Sequence, residues 1–336
     1  MSRIEPSSRY ARIGTAAVVA LAVVNVVLIA LAMNQSAQRD QPIGPAANFA
    51  QVTPSPSPFD TPLDATTTSS PASTPTTTTT ATAATSVPAV PLRVMVSAVG
   101  PDVAWRVTSP ACSSLGVVSA QSSADGGRSW RPSPLPVGVV VRLQATSVDR
   151  AFVIAADGTS PPCAARYRST ANGDAWSSGR DPSRAWYRSP ADLHRIAVPG
   201  GASGQPCGST RDVVDLLPAG NVRAAALCSD GTVVQTADAA ATWAAVAKVP
   251  GAVAIADNPS GSGYVAAVRG VGECAGVSVV TVRHAPRPLG CIAELPNDTG
   301  AGMVAVSSAE QTVWVVAGPA VYVSTDAGRT FTRRAG

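Results

Sequence analysis

Ser123-Ala124-Asp125-Gly126-Gly127-Arg128-Ser129-Trp130 reads S-x-D-x-G-x-x-W, and Ser324-Thr325-Asp326-Ala327-Gly328-Arg329-Thr330-Phe331 repeats it with Phe in place of Trp. Two incomplete copies stand between them. The stretch from Ser169 to Trp176 keeps Ser169, Gly173 and Trp176 but has Ala171 at the acidic position. The stretch from Thr236 to Trp243 keeps Thr236, Asp238 and Trp243 but has Ala240 where glycine stands in the complete copies. The chemistry is that of a tight turn. A hydroxyl and a carboxylate accept backbone N–H groups of the loop, glycine supplies a positive φ, and the aromatic opens the return strand. Each copy follows a strand-like run: 115–120, 164–168, 232–235 and 320–323. The pattern is strand, turn, strand each time.

Working outward, the third residues of the octapeptides are Asp125, Ala171, Asp238 and Asp326, and they are unevenly spaced. A four-stranded repeat takes about 40–50 residues. The last interval therefore hides a repeat without the turn motif near 251–292, with strands at 263–268 and 277–282. The middle interval holds one repeat plus a long insertion over roughly 178–210. No stretch of 93–336 sustains a helical period, while Val, Thr and turn residues dominate.

The octapeptide resembles the Asp box, or BNR repeat, of sialidases, Ycf48-type photosystem assembly factors and sortilin-like receptors. The resemblance implies an all-β propeller of about five to seven blades, with Ser123, Asp125, Gly127, Trp130, Ser169, Gly173, Trp176, Thr236, Asp238, Trp243, Ser324, Asp326, Gly328 and Phe331 at the turns between third and fourth strands. It does not imply sialidase chemistry. A sialidase-like site takes three arginines, a Tyr–Glu nucleophile pair and an Asp acid, with an Arg-Ile-Pro-type motif near the first strand. Here that strand reads Leu92-Arg93-Val94-Met95, and the only glutamates of 93–336 are Glu273, Glu294 and Glu310. The sequence also lacks a G-x-S-x-G elbow, a phosphate-binding G-x-x-x-x-G-K-[ST] loop and an H-E-x-x-H pair. The expectation is a non-enzymatic binding or scaffolding module with no catalytic residue, cofactor or metal. An exported carbohydrate-active enzyme and an assembly factor for a membrane complex are the competing readings.

The N-terminal quarter has a different composition. Residues 13–33, IGTAAVVALAVVNVVLIALAM, carry no charge, and as a helix would span about 31 Å, close to the hydrocarbon thickness of a bilayer. Arg3, Arg9 and Arg12 precede the span, whereas Arg39 alone follows it before Arg93. Positive-inside orientation makes 1–12 a cytoplasmic tail, 13–33 a transmembrane signal-anchor, and everything after it extracellular at the plasma membrane. Ala30-Leu31-Ala32 offers the alternative of a cleaved signal peptide. Residues 34–92 form a stalk. Of the 42 residues from Gln51 to Leu92, 27 are Thr, Pro or Ser, too little apolar surface to offset ordering entropy, so the stalk is expected to be disordered. The propeller would then occupy 93–336.

The formal charge of +4 is spread along the chain rather than gathered on one element, which argues against nucleic acid. Lys248 is the only lysine. With the wealth of Ala, Val and Pro, that bias points to a GC-rich, actinobacterial type of genome. Partners are expected at the envelope, either a cell-wall polymer or another envelope protein. All six cysteines lie beyond the stalk, as disulfides of an exported domain would. Nearest-neighbour pairing gives Cys112–Cys163, Cys207–Cys228 and Cys274–Cys291. Within the insertion, Arg184, Trp186, Tyr187, Arg188 and His194 crowd together as a candidate binding patch, since Arg and aromatic residues carry interface energy. The competing reading packs Trp186 and Tyr187 against a blade and leaves the arginines solvated.

Overall fold

The computed structural model describes residues 90–110, 118–156, 165–178, 181–271, 273–283, 285–297 and 299–334. The cytoplasmic tail, membrane span and nearly all of the stalk, together with Cys112, Cys163 and His284, lie outside them. Among the described residues no helix is long and apolar enough to cross a membrane.

These residues form a β-propeller of six blades, five four-stranded and one three-stranded. The first blade is β1 (Val94–Ala98), β2 (Ala104–Thr108), β3 (Ser119–Ser123) and β4 (Arg131–Pro134). The second is β5 (Val139–Ala145), β6 (Ala151–Ala156), β7 (Ala165–Thr170) and β8 (Trp176–Ser178). A 3-10 turn, Pro182–Arg184, leads into the third, β9 (Tyr187–Arg188), β10 (Ile196–Ala197) and β11 (Ser203–Gly204). The fourth is β12 (Val213–Pro218), β13 (Ala224–Cys228), β14 (Thr232–Thr236) and β15 (Ala244–Lys248). The fifth is β16 (Ala252–Asp257), β17 (Tyr264–Val271), β18 (Cys274–Val282) and β19 (Arg287–Ile292). The sixth is β20 (Val304–Ala309), β21 (Thr312–Ala317), β22 (Ala320–Ser324) and β23 (Thr332–Arg334). Each blade is an antiparallel meander with strands in chain order. The fifth blade sits where the repeat spacing placed a copy without the turn motif. The stretch expected to be an insertion is itself the third blade, unrecognised because two of its strands are only two residues long and no fourth strand follows to close a turn.

Apolar side chains alternate along the strands and bury themselves between blades. One cluster joins the fifth and sixth blades through Val265, Val277, Val279, Val313, Val315 and Tyr322. Others join the fourth to the fifth, the third to the fourth and the first to the second. The ring closes between the sixth and first blades by side-chain packing, with no strand exchanged between them, through Val94, Ala104, Trp314, Val316 and Val321.

All six tryptophans pair across blade boundaries, edge to face. Trp130 meets Trp314 at 6.3 Å across the ring closure, Trp176 meets Trp105 at 5.8 Å, and Trp243 meets Trp186 at 6.5 Å. Such pairs add about 0.5–1.5 kcal/mol beyond their buried area. In each pair one ring belongs to an octapeptide. Gly127 explains how closely these turns approach the next blade. Its φ is +80°, and a Cβ there would lie 2.9 Å from Trp314 Cζ3, so any larger residue would be strained and would clash as well.

Two disulfides staple the fold. Cys274–Cys291 ties β18 to β19, and Cys207–Cys228 ties the tail of the third blade to β13. The second lies within the buried cluster shared by the third and fourth blades.

Candidate functional site

The octapeptide turns share one hydrogen-bond scheme. Ser123 Oγ accepts Gly127 N at 2.9 Å, while Asp125 Oδ1 accepts the N–H of Arg128 and of Ser129 at 2.9 Å each. Ser129 Oγ donates to Asp125 Oδ2 at 2.6 Å. Ser324 and Asp326 repeat the scheme with Gly328, Arg329 and Thr330. Thr236 and Asp238 repeat it with Ala240 and Thr242, and Ala240 takes φ +69° in the place of glycine. In the second blade the roles move one residue along. Thr170 Oγ1 accepts Gly173 N at 3.0 Å, and Asn172 Oδ1 accepts Asp174 N and Ala175 N. Neither Ser169 nor Ala171 fills the role the octapeptide alignment gave it; the turn is one residue shorter, and asparagine replaces the acid. Hydrogen bonds to the ionised form, from Ser129 foremost, hold Asp125 down at about 2, and those from Thr242 do the same for Asp238. The Asp326 carboxyl is lowered too, by Ser324 first and then Thr330. These acids are saturated by their own turns and stand at the periphery.

A different site lies on the axis. The inner strands β1, β5, β9, β12, β16 and β20 enclose a cavity of about 210 Å³. They are tied to one another around the ring. Ala145 N donates to Ser97 Oγ at 3.0 Å and Ala98 N to Ser307 Oγ at 3.0 Å. Ser308 Oγ donates to the Asp257 carbonyl at 2.6 Å, and Ile255 N donates to Asp215 Oδ2 at 2.9 Å. Arg142 Nη1 reaches the Trp186 carbonyl at 2.7 Å, and Val213 N donates to the Leu193 carbonyl at 2.8 Å. Each link joins neighbouring blades.

Register shifts at Val140/Arg142 and Val213/Asp215 insert an extra residue into β5 and β12. Such bulges bend a strand and re-aim its side chains, and here charged residues of otherwise apolar strands line the axis. Arg188 is 6% exposed. Burial pulls the guanidinium down to about 10, opposed by Asp215 and Asp212, so it remains charged at neutral pH. Its Nη2 donates to the Val90 carbonyl at 3.2 Å, and its Nε is buried with no partner among the described residues. Burial likewise pulls Arg142 to about 10. Its Nη2 donates to Gln144 Oε1 at 2.5 Å, and its guanidinium lies 5.1 Å from the centre of the Phe152 ring. Burial pushes Asp215 up, against backbone hydrogen bonds from Ile255 and Leu216 that favour the carboxylate. Asp257, at the far rim, is exposed, and partial burial of its carboxyl still raises it.

One mouth of the cavity is covered. Val90 bonds Arg188 of the third blade, and Val90 and Pro91 also press against Gly302 just before β20 of the sixth. A Cβ at Gly302 would lie 2.5 Å from the Pro91 carbonyl and 3.0 Å from Val90 Cγ2. The third and sixth blades face each other in a ring of six, so the entering chain crosses the axis.

Three residues of the candidate patch, Trp186, Tyr187 and Arg188, line the axial cavity, and two, Arg184 and His194, do not. Trp186 is 1% exposed and packs between the third and fourth blades, its Nε1 donating to the Gly220 carbonyl at 2.8 Å. Tyr187 and Arg188 line the axial cavity. Arg184 is exposed at the end of the 3-10 turn. His194 Nδ1 lies 3.0 Å from Asp212 Oδ1, on a loop outside the cavity lining. Arg142, Asp215, Ser97, Ser307 and Gln144 were not foreseen. The available signal was a charge inside an apolar run, as in Val213-Val214-Asp215-Leu216-Leu217. Among the described residues no cluster of His, Cys, Asp and Glu could hold a metal ion.

Fold and axial cavity define the class, a six-bladed β-propeller with a charged central channel. No protein-family model and no curated protein matches the chain. Solved structures of similar fold include Ycf48 from Cyanidioschyzon merolae, 16% identical over 74% of this chain and 87% of that one, with a TM-score of 0.36. A structure described as Ycf48 bound to D1 peptide is 17% identical over 74% of this chain and 69% of that one, with a TM-score of 0.27. The GH74 xyloglucanase from Xanthomonas campestris is 16% identical over 71% of this chain and 37% of its own, with a TM-score of 0.28. At these identities and scores the likenesses carry no argument about activity or ligand.

Proposed function

We propose that this chain is a non-catalytic binding or scaffolding module of the cell envelope, a propeller with Asp-box-type turns held outside the plasma membrane by the span 13–33 and the stalk that follows. The observation that supports binding over hydrolysis is the state of the axial acids. Hydrolysis of a glycoside by paired carboxylates needs one acid to give a proton and a second to attack or to activate water. Asp215 and Asp257 are the acidic residues lining the cavity. Both oxygens of Asp215 already accept backbone N–H groups, from Leu216 at 2.8 Å and Ile255 at 2.9 Å, the second stitching the fourth blade to the fifth. Asp257 stands without an acidic companion free for chemistry. The two disulfides fit an oxidising compartment, and the uncharged span with its arginine flank supplies the anchor.

The test is a panel of fluorogenic glycosides incubated with the purified chain. The expected result is no release of fluorophore above buffer. Turnover that disappears in Asp257→Asn would overturn the reading in favour of an exported carbohydrate-active enzyme.

A further inference from the structure

We infer that the axial cavity is a blind pocket for a single carboxylate, gripped by the Arg188 guanidinium. The inference rests on the binding reading above and adds the chemistry of the ligand.

The first argument is hydrogen-bond supply. Arg188 lines the cavity, and among the described residues its guanidinium makes one hydrogen bond, from Nη2 to the Val90 carbonyl. A guanidinium with most of its N–H groups uncommitted at a cavity wall favours a ligand that brings an anionic acceptor. The neighbouring lining groups are donors as well. Ser97 Oγ and Ser307 Oγ each accept a backbone N–H from the adjoining blade, which leaves their own hydrogens free to donate. Gln144 Oε1 is taken by Arg142, leaving its amide hydrogens. The acceptor that could compete, Asp215, is engaged on both oxygens.

The second argument is charge. Arg142, Arg188, Asp215 and Asp257 are the charged residues of the lining. Asp257 is exposed at the rim and screened by solvent. At the inner end two guanidinium groups face one carboxyl, an excess of positive charge that favours an anionic ligand. The third argument is access. Val90 and Pro91 cover the mouth beside Arg188, so a ligand enters from the Asp257 end and meets Arg188 at the bottom.

A carboxylate reaches such a pocket either as a small free acid or as the end of a chain, and titration of the full-length protein separates the two. N-acetyl-trialanine is compared with its C-terminal amide, lactate with lactamide, and inorganic phosphate serves as control. Each free acid that fits is expected to bind at least about ten-fold tighter than its amide, in keeping with a charge-assisted hydrogen bond. Tighter binding of the peptide acid identifies a chain end, and tighter binding of lactate a small acid. Arg188→Lys keeps the charge but loses the planar fork of donors, and is expected to weaken the acid about ten-fold while leaving the amide unchanged. If Arg188→Lys does not fold, the acid–amide comparison on the unaltered chain still decides. Equal affinities for acid and amide, no binding of either acid at millimolar concentration, or phosphate binding as tightly as carboxylate would each overturn the inference. Failure here with a silent glycoside panel removes only the ligand class; glycoside turnover removes the binding reading itself.

Discussion

The boundary between the fifth and sixth blades and the boundary between the second and third are built on different principles. The former is a continuous apolar sheet of Val, Ala and Ile capped by Tyr322, whose hydroxyl donates to the Glu294 carbonyl at 2.7 Å. At the latter, no apolar cluster joins the two blades among the described residues. The second blade turns Arg142, Phe152 and Tyr167 toward the third; the two rings stack at 5.2 Å, and Arg142 reaches across to the Trp186 carbonyl. A full blade offers four strands of alternating side chains to its neighbour, whereas the third offers two residues per strand and a 3-10 turn. Little apolar area is then available to bury, and directional contacts take over. A disulfide, Cys207–Cys228, joins the third blade to the fourth within their shared buried cluster. The boundary flanked by the two axial arginines, Arg142 and Arg188, is thus the one with the least hydrophobic support.

The comparison breaks most visibly at Tyr322. Tyr322→Ala removes a side chain only 6% exposed from the apolar boundary and is expected to cost about 3–5 kcal/mol in urea unfolding. Phe152→Ala, at the polar boundary, should cost less, about 1.5–3 kcal/mol, because a half-buried ring loses part of the burial contribution together with its aromatic pair. Equal losses would mean that the two boundaries bear the fold alike. The smallest effect is sought in acid. Asp125 and Asp238 are held at about 2 in the folded chain, below the roughly 3.9 of an unfolded aspartate. The unfolded state therefore binds more protons through this window, and the turns' contribution is complete above about pH 4 and lost as pH falls through about 2. A double Asp125→Asn, Asp238→Asn variant should show a flatter decline of thermal midpoint over that range, with both boundaries otherwise unchanged. An identical decline would remove the turn acids from the account.

How much of this was legible follows from where the information sits in the chain. Turn chemistry is local, so the octapeptides announced the hairpins of the first, second, fourth and sixth blades. The second-blade copy shows the limit of reading by position, because Asn172 does the work of an acid one residue away from where the alignment looked. The fifth blade was legible from spacing and two Val-rich runs. The third was not, because strands of two residues leave no periodicity to detect. The pairings Cys207–Cys228 and Cys274–Cys291 were foreseen, and Cys112–Cys163 falls outside the described residues. The axial cavity could not be assembled in advance. Its residues come from six inner strands far apart in sequence, and bulges that no motif marks re-aim two of the decisive side chains.

The path by which the chain enters the ring has a mechanical meaning. Val90 and Pro91 meet the disc on its axis, against the third and sixth blades together, and continue into β1 of the first. Tension applied at residue 90 therefore arrives at the hub and is shared among opposite sectors. An outer-edge attachment would instead unzip one sheet strand by strand.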